Sequence, residues 1–227
     1  MNTNIKQHFT QFLKRKNKGW AFAFAVMMAA TTLMMIMLIY QKEKAHTIKE
    51  TMQDALTSSA LGSISVDYLT YGISEDIVFY NKDTDKAYEN LCNLLCKNLG
   101  LYRNGTFASS AETGTILFNT EKYPLCISKV ILYERVNGKI ISTTYLSEKD
   151  AEKTNPISDK TLKLLATPNS SYKKTVVNTD KEYVSTPDGD TVNTLGIYIK
   201  VTYPVNIAGK EKYIKTSAFV NLGQATI

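Results

Sequence analysis

Three cysteines, two histidines and acidic pairs such as Asp83 with Asp85 and Asp188 with Asp190 are the groups in this chain whose types and spacing suggest chemistry. Cys92 and Cys96 stand four apart, so on a helix they share a face, but their Cβ atoms then lie farther apart than the roughly 3.8 Å a disulfide prefers. A bridge from one of them to Cys126 is easier to build. It would staple a helix to a strand in an oxidising compartment and leave one thiol over. The alternative is three buried thiols that act as small apolar residues. A structural zinc site needs four nitrogen or sulfur ligands, and no histidine lies beyond His46, so no metal is expected. His8 sits in a basic N-terminal tail and His46 just past a long apolar run, so neither is placed to activate a Ser or Cys in the rest of the chain. Asp83 with Asp85, and Asp188 with Asp190, have the spacing of acid/base or calcium-binding carboxylates. Both pairs fall in turn-like sequence, and the calcium-loop pattern lacks its later Gly and Glu. They read as solvated turn carboxylates. Asn104 and Asn169 fit the glycosylation sequon, which recurs by chance and matters only in a secretory eukaryotic setting. The residues thus call for no catalytic group and no cofactor, and the expected protein is not an enzyme.

Whatever these groups do, a membrane must position them. Residues 20–40 are uncharged and are preceded by Lys14, Arg15, Lys16 and Lys18. As a helix the run is about 32 Å long at roughly 1.5 Å per residue, which matches a hydrocarbon layer of about 30 Å. A cleaved export signal has an apolar core of only about 7–15 residues and then small residues at a cleavage site. Here Leu38, Ile39, Tyr40, Gln41 and Lys42 follow one another instead, which favours a retained anchor. A buried helix of a soluble protein would show a polar stripe. Only Thr31 and Thr32 interrupt this surface, and each can bond its hydroxyl back to the helix.

Charge sets the orientation. Of the formal +6, five positive charges (Lys6, Lys14, Arg15, Lys16 and Lys18) lie before residue 41 with no acid among them. The remainder carries 22 basic and 21 acidic residues, a net +1. By the positive-inside rule residues 1–19 form a cytoplasmic tail and the rest lies outside, as a single-pass membrane protein. The pI near 9 would suit nucleic acid, but its surplus sits on that short tail, so no nucleic-acid partner is expected.

Beyond the span, over residues 41–72, Ala45, Ile48, Met52, Ala55, Leu56, Ser59 and Ala60 recur at spacings of three and four, with Lys42, Glu43, Lys49, Glu50 and Asp54 on the other face. The pattern predicts that the anchor continues as a stalk helix, broken near Gly62 or Gly72. Ala55, Ser59, Ala60 and Gly62 form a small-residue face that lets another helix or a sheet approach closely, or packs on its own domain.

Residues 73–227 read as one extracytoplasmic α+β domain, of ordinary size for a single core. An amphipathic helix is predicted over 85–99, with Gly100 at its C-cap. Strands are predicted over 125–136 and 139–146, turning at Asn137-Gly138, and over 194–206 and 210–221, turning at Ala208-Gly209. Residues 172–177 form a further strand, 161–166 fit helix or strand, and Thr186-Pro187-Asp188-Gly189 is a turn in which Pro presets one dihedral and Gly accepts a positive one. The polar stretch 147–160 reads as a loop. The fold class is therefore α+β: a single N-terminal transmembrane helix extended as a stalk, followed by an antiparallel-sheet domain with a packed helix. The abundant tyrosines alternate with Ile or Val, as in residues that cover a sheet.

The order of basic tail, Gly19, apolar span and then Thr51-Met-Gln-Asp-Ala-Leu-Thr-Ser-Ser-Ala-Leu61 resembles the N-terminal region of TadE/TadG-like proteins of the tight-adherence (Flp, type IVc) pilus machinery. The segment from Ala87-Tyr88 to Leu94-Leu95-Cys-Lys-Asn-Leu-Gly-Leu101 and the strand Ile199-Lys-Val-Thr-Tyr-Pro-Val205 are similar to the same family. The resemblance covers about the first hundred residues and the rest in outline. It implies a pseudopilin-like membrane component whose partners are the lipid bilayer and pilin or pilus-assembly proteins. It also implies processing by a prepilin peptidase after a Gly followed by an apolar helix with Glu at the fifth position. Gly19 and Trp20 match that site, but Phe24 stands where the Glu belongs. That departure points to a permanently anchored assembly component rather than a major fibre subunit. The Met-rich stretch (Met27, Met28, Met34, Met35, Met37) offers adaptable packing to other helices or simply faces lipid. An anchored extracellular binding or sensor module for a wall component or small ligand has the same layout and is the competing reading.

Overall fold

The computed structural model describes residues 18–99, 101–103, 107–109, 126–147, 172–207 and 210–222. The chain divides into two compact units, Met1–Ala45 and His46–Ile227.

Helix α1 runs from Lys18 to Ser63. Within the first unit its side chains from Trp20 to Tyr40 are all exposed, with no polar face; the Thr31 and Thr32 hydroxyls donate to Met28 O at 2.9 and 2.7 Å, which removes the two polar groups from the surface. Within the second unit the same helix is one-sided. Ile48, Met52, Ala55, Leu56, Ser59, Ala60 and Ser63 are buried at spacings of three and four, while Lys49, Glu50, Gln53 and Asp54 are exposed.

The helix stops at Ser63, and Gly72 falls inside a separate short helix, α2 (Tyr68–Ser74). Asp67 caps α2: its carboxylate accepts from the Leu69 and Thr70 amides. Glu75 ends it in the left-handed region. A 3-10 turn (Tyr80–Lys82) follows, and then helix α3 (Thr84–Asn98), whose N-cap Asp83 accepts from the Lys86 amide at 3.0 Å. Helix α3 buries Ala87, Tyr88, Leu91, Cys92, Leu95 and Cys96, a stripe of the expected 3.6-residue period. Its C-cap is Leu99; Gly100, expected there, lies outside the described residues.

The strands are β1 (Leu101–Arg103), β2 (Phe107–Ser109), β3 (Cys126–Val136), β4 (Lys139–Ser147), β5 (Tyr172–Asn178), β6 (Val184–Ser185), β7 (Thr191–Val192), β8 (Gly196–Ile207) and β9 (Lys210–Asn221). The central sheet is antiparallel with order β5-β4-β3-β8-β9; β1-β2 and β6-β7 are separate two-stranded ribbons. The β3-β4 hairpin turns at Asn137 and Gly138, both with positive φ, as a two-residue primed turn demands. Residues 161–166, the Ala208-Gly209 turn and most of 147–160 lie outside the described residues.

Alternation divides the sheet into two faces. Val130, Leu132, Tyr145, Ile197, Ile199 and Val201 share one face by register and are buried; Tyr145 there stacks on Tyr88 of α3, with ring centroids 4.4 Å apart. The opposite face holds Ile131, Tyr133, Ile140 and Tyr198, packed with Val192 of β7 and flanked by Val184 and Phe219. The result is α+β: the C-terminal half of α1 and helix α3 on one face of a five-stranded sheet, and the β6-β7 ribbon on part of the other.

Candidate functional site

Among the described residues, α1 is the one helix long and apolar enough to cross a membrane, a property that a single span and a signal sequence share. Gly19 and Trp20 lie in its first turn, and the helix runs through them. Exposed Trp20 and Tyr40 bracket the apolar run, with Met27, Met28, Met34, Met35 and Met37 between them. Aromatic residues at both ends of an apolar helix suit the two water–hydrocarbon boundaries.

The small-residue face is engaged within the chain's own second unit. Ser59 and Ala60 are fully buried, and Ala55 nearly so. The Asn98 side-chain amide of α3 donates to Ser59 Oγ at 2.9 Å, and Ser59 Oγ in turn donates to Ala55 O at 2.5 Å. A Cβ placed on Gly62 would stand 3.1 Å from Leu94 Cδ1 of α3, so the two helices meet closely there. Small side chains let α1 approach α3, and the hydroxyl of Ser59 satisfies itself on its own helix while holding its neighbour.

Three polar fastenings hold the connection between α1 and α3 to the sheet. The Ile77 amide donates to Arg135 O at 2.8 Å and the Arg135 amide to Ile77 O at 2.9 Å; the Asp76 carboxylate accepts from the Asn137 amide at 2.7 Å; and the Glu134 carboxylate accepts from the Phe79 amide at 2.9 Å. Glu134 is only 8% exposed, and burial pushes its carboxyl above the usual range, opposed by the Phe79 hydrogen bond and by Lys82 and Lys174. Val78 and Phe79 are buried between these fastenings. Helix α2, which this connection carries, buries no residue: Tyr68, Leu69 and Ile73 are each at least three-quarters exposed and Tyr71 is half exposed. Sequence reasoning missed this surface. Its signal was an aspartate N-cap, Asp67, followed by seven uncharged residues.

The acidic pairs are taken up structurally. Asp83 caps α3. Asp85 accepts from Lys174 Nζ at 2.7 Å and from Tyr145 Oη at 2.6 Å, and those bonds, Lys174 first, hold its carboxyl below the usual range. Lys174 Nζ also lies 5.7 Å from the Tyr145 ring centre. Asp188 accepts from Ser217 Oγ at 2.5 Å, and the Asp190 amide donates to Thr186 Oγ1 at 3.0 Å. Cys92 and Cys96 are each 2% exposed and lie in the apolar stripe that α3 buries. Cys126 opens β3, and its side chain lies outside the described residues, as do His8, Asn104 and Asn169. His46 sits 3.2 Å from Glu50 one turn on, on the exposed side of α1. Among the described residues no group of three His, Cys, Asp or Glu could hold a metal ion.

The chain matches no family model, no characterised protein and no solved structure.

Proposed function

We propose that this chain is a non-enzymatic, membrane-anchored, pseudopilin-like component of a tight-adherence or type IV pilus or a related secretion assembly. It acts by helix packing in the bilayer and by protein contacts outside it. The observation that carries the reading is α1 itself: one helix whose N-terminal part exposes an unbroken apolar surface, and whose C-terminal turns belong to the core of an α+β head. This is the layout the resemblance implies, a lipid-seated helix that continues into a globular domain. The N-terminus is cytoplasmic and the head extracytoplasmic, on the strength of the five basic residues before residue 41. Because Ala55, Ser59 and Ala60 are engaged by the head, contacts with pilin helices fall on residues 20–40, where the methionines supply adaptable packing.

Single cysteines placed at Met28 and Met35 in the full chain, followed by crosslinking in native membranes, test this. Crosslinks to a pilin or to another assembly protein, together with loss of surface fibres when the gene is deleted, are expected. Fibres that assemble normally in the deletion strain overturn the reading. The exposed apolar surface of α2 favours one alternative, an anchored extracellular binding or sensor module, because a contact surface outside the bilayer is what such a module needs. That alternative predicts intact fibres and genomic neighbours that lack a secretion ATPase and a membrane platform protein.

A further inference from the structure

We draw no further inference here: the strongest candidate, the exposed apolar surface of the short helix α2 formed by Tyr68, Leu69, Tyr71 and Ile73, carries none because nothing in the structure shows what covers it.

Discussion

Asn98 holds Ser59: the amide at the end of α3 donates to a hydroxyl that is itself fully buried on α1, 39 positions earlier in the chain. The bond fixes the axial register of the two helices, which also approach closely where Gly62 meets Leu94. A leucine at Ser59 or Ala60 adds volume where no exposed space remains, and overpacking of this kind costs about 1–3 kcal/mol. The thermal midpoint of the detergent-solubilised chain should fall by about 2–4 °C for each kcal/mol lost. Ser59→Ala, which removes only the hydroxyl, gives up the bonds with both Asn98 and Ala55 O and should cost about 1–3 kcal/mol. Equal midpoints for Ser59→Leu and the parent would show that this face is not packed. On the proposed function, a loss of assembly in the leucine variants would report the fold of the head, and substitutions within residues 20–40 would be the ones to report contacts in the membrane.

Gly62 makes the opposite case. Its alanine Cβ meets the tip of Leu94, the far end of a flexible and only partly buried side chain, rather than backbone. Glycine within a helix is less favourable than alanine by up to about 1 kcal/mol. Gly62→Ala should therefore leave stability unchanged or raise it by up to about 1 kcal/mol, the smaller gain reflecting its place in the last turn. Gly62→Leu should lower it. Chemical denaturation of the three proteins separates these outcomes, and a clear loss for alanine would mean that Leu94 cannot move.

Glu134 is a buried carboxylate whose oxygen serves the Phe79 amide. Glutamine keeps that acceptor and removes the desolvated charge, so Glu134→Gln should be as stable as the parent at neutral pH or more so. Leucine leaves the amide without its acceptor, and a stranded buried donor costs about 1–3 kcal/mol. Hydrogen exchange at the Phe79 amide provides the local readout: protection should persist in the glutamine variant and drop in the leucine variant. If the two variants exchange alike, the carboxylate does not fasten this segment.

Local signals made much of the fold legible in the sequence. Asn137-Gly138 placed a hairpin whose strands begin and end within a residue of expectation, because a two-residue turn with positive φ at both positions leaves little freedom. The apolar stripe of α3 was readable for the same reason, a period of 3.6 within one element. Strand order was not readable. β3 lies beside β8 across sixty residues of chain, and no local pattern records that pairing. The small-residue face of α1 was visible as a close-packing surface, but its partner was ambiguous, since the sequence cannot say whether the helix that approaches Ser59 belongs to the same molecule. A break near Gly62 or Gly72 is what the glycines of the stalk suggest; α1 ends at Ser63, beside the first of them, while Gly72 lies inside α2 and the stalk does not reach it as one helix. Helix α2 was missed because an uncharged seven-residue turn of helix, anchored by a single aspartate cap, has no periodicity to detect.

Two carboxylates on the same face of the head titrate with opposite effects on stability. Asp85 is held below its usual range by the Lys174 and Tyr145 hydrogen bonds, so its contribution is present at neutral pH and fades as pH falls below about 4, the ordinary aspartate value, through its folded value. Glu134 is held above its usual range by burial, so the folded chain binds that proton more tightly than the unfolded chain, and stability rises as pH falls through its folded value. On acidification the parent should gain from Glu134 before it loses from Asp85. Glu134→Gln removes the gain, and its stability should decline monotonically below neutral pH. Lys174→Met, which removes the ammonium group, should move the Asp85 titration back toward the ordinary aspartate value. The accompanying loss at neutral pH should be under about 1 kcal/mol, since the pair is largely exposed. Carboxyl titration followed by NMR, alongside denaturant unfolding at each pH, resolves the two groups. An Asp85 carboxyl that titrates identically with and without Lys174 would show that the ion pair does not form in solution.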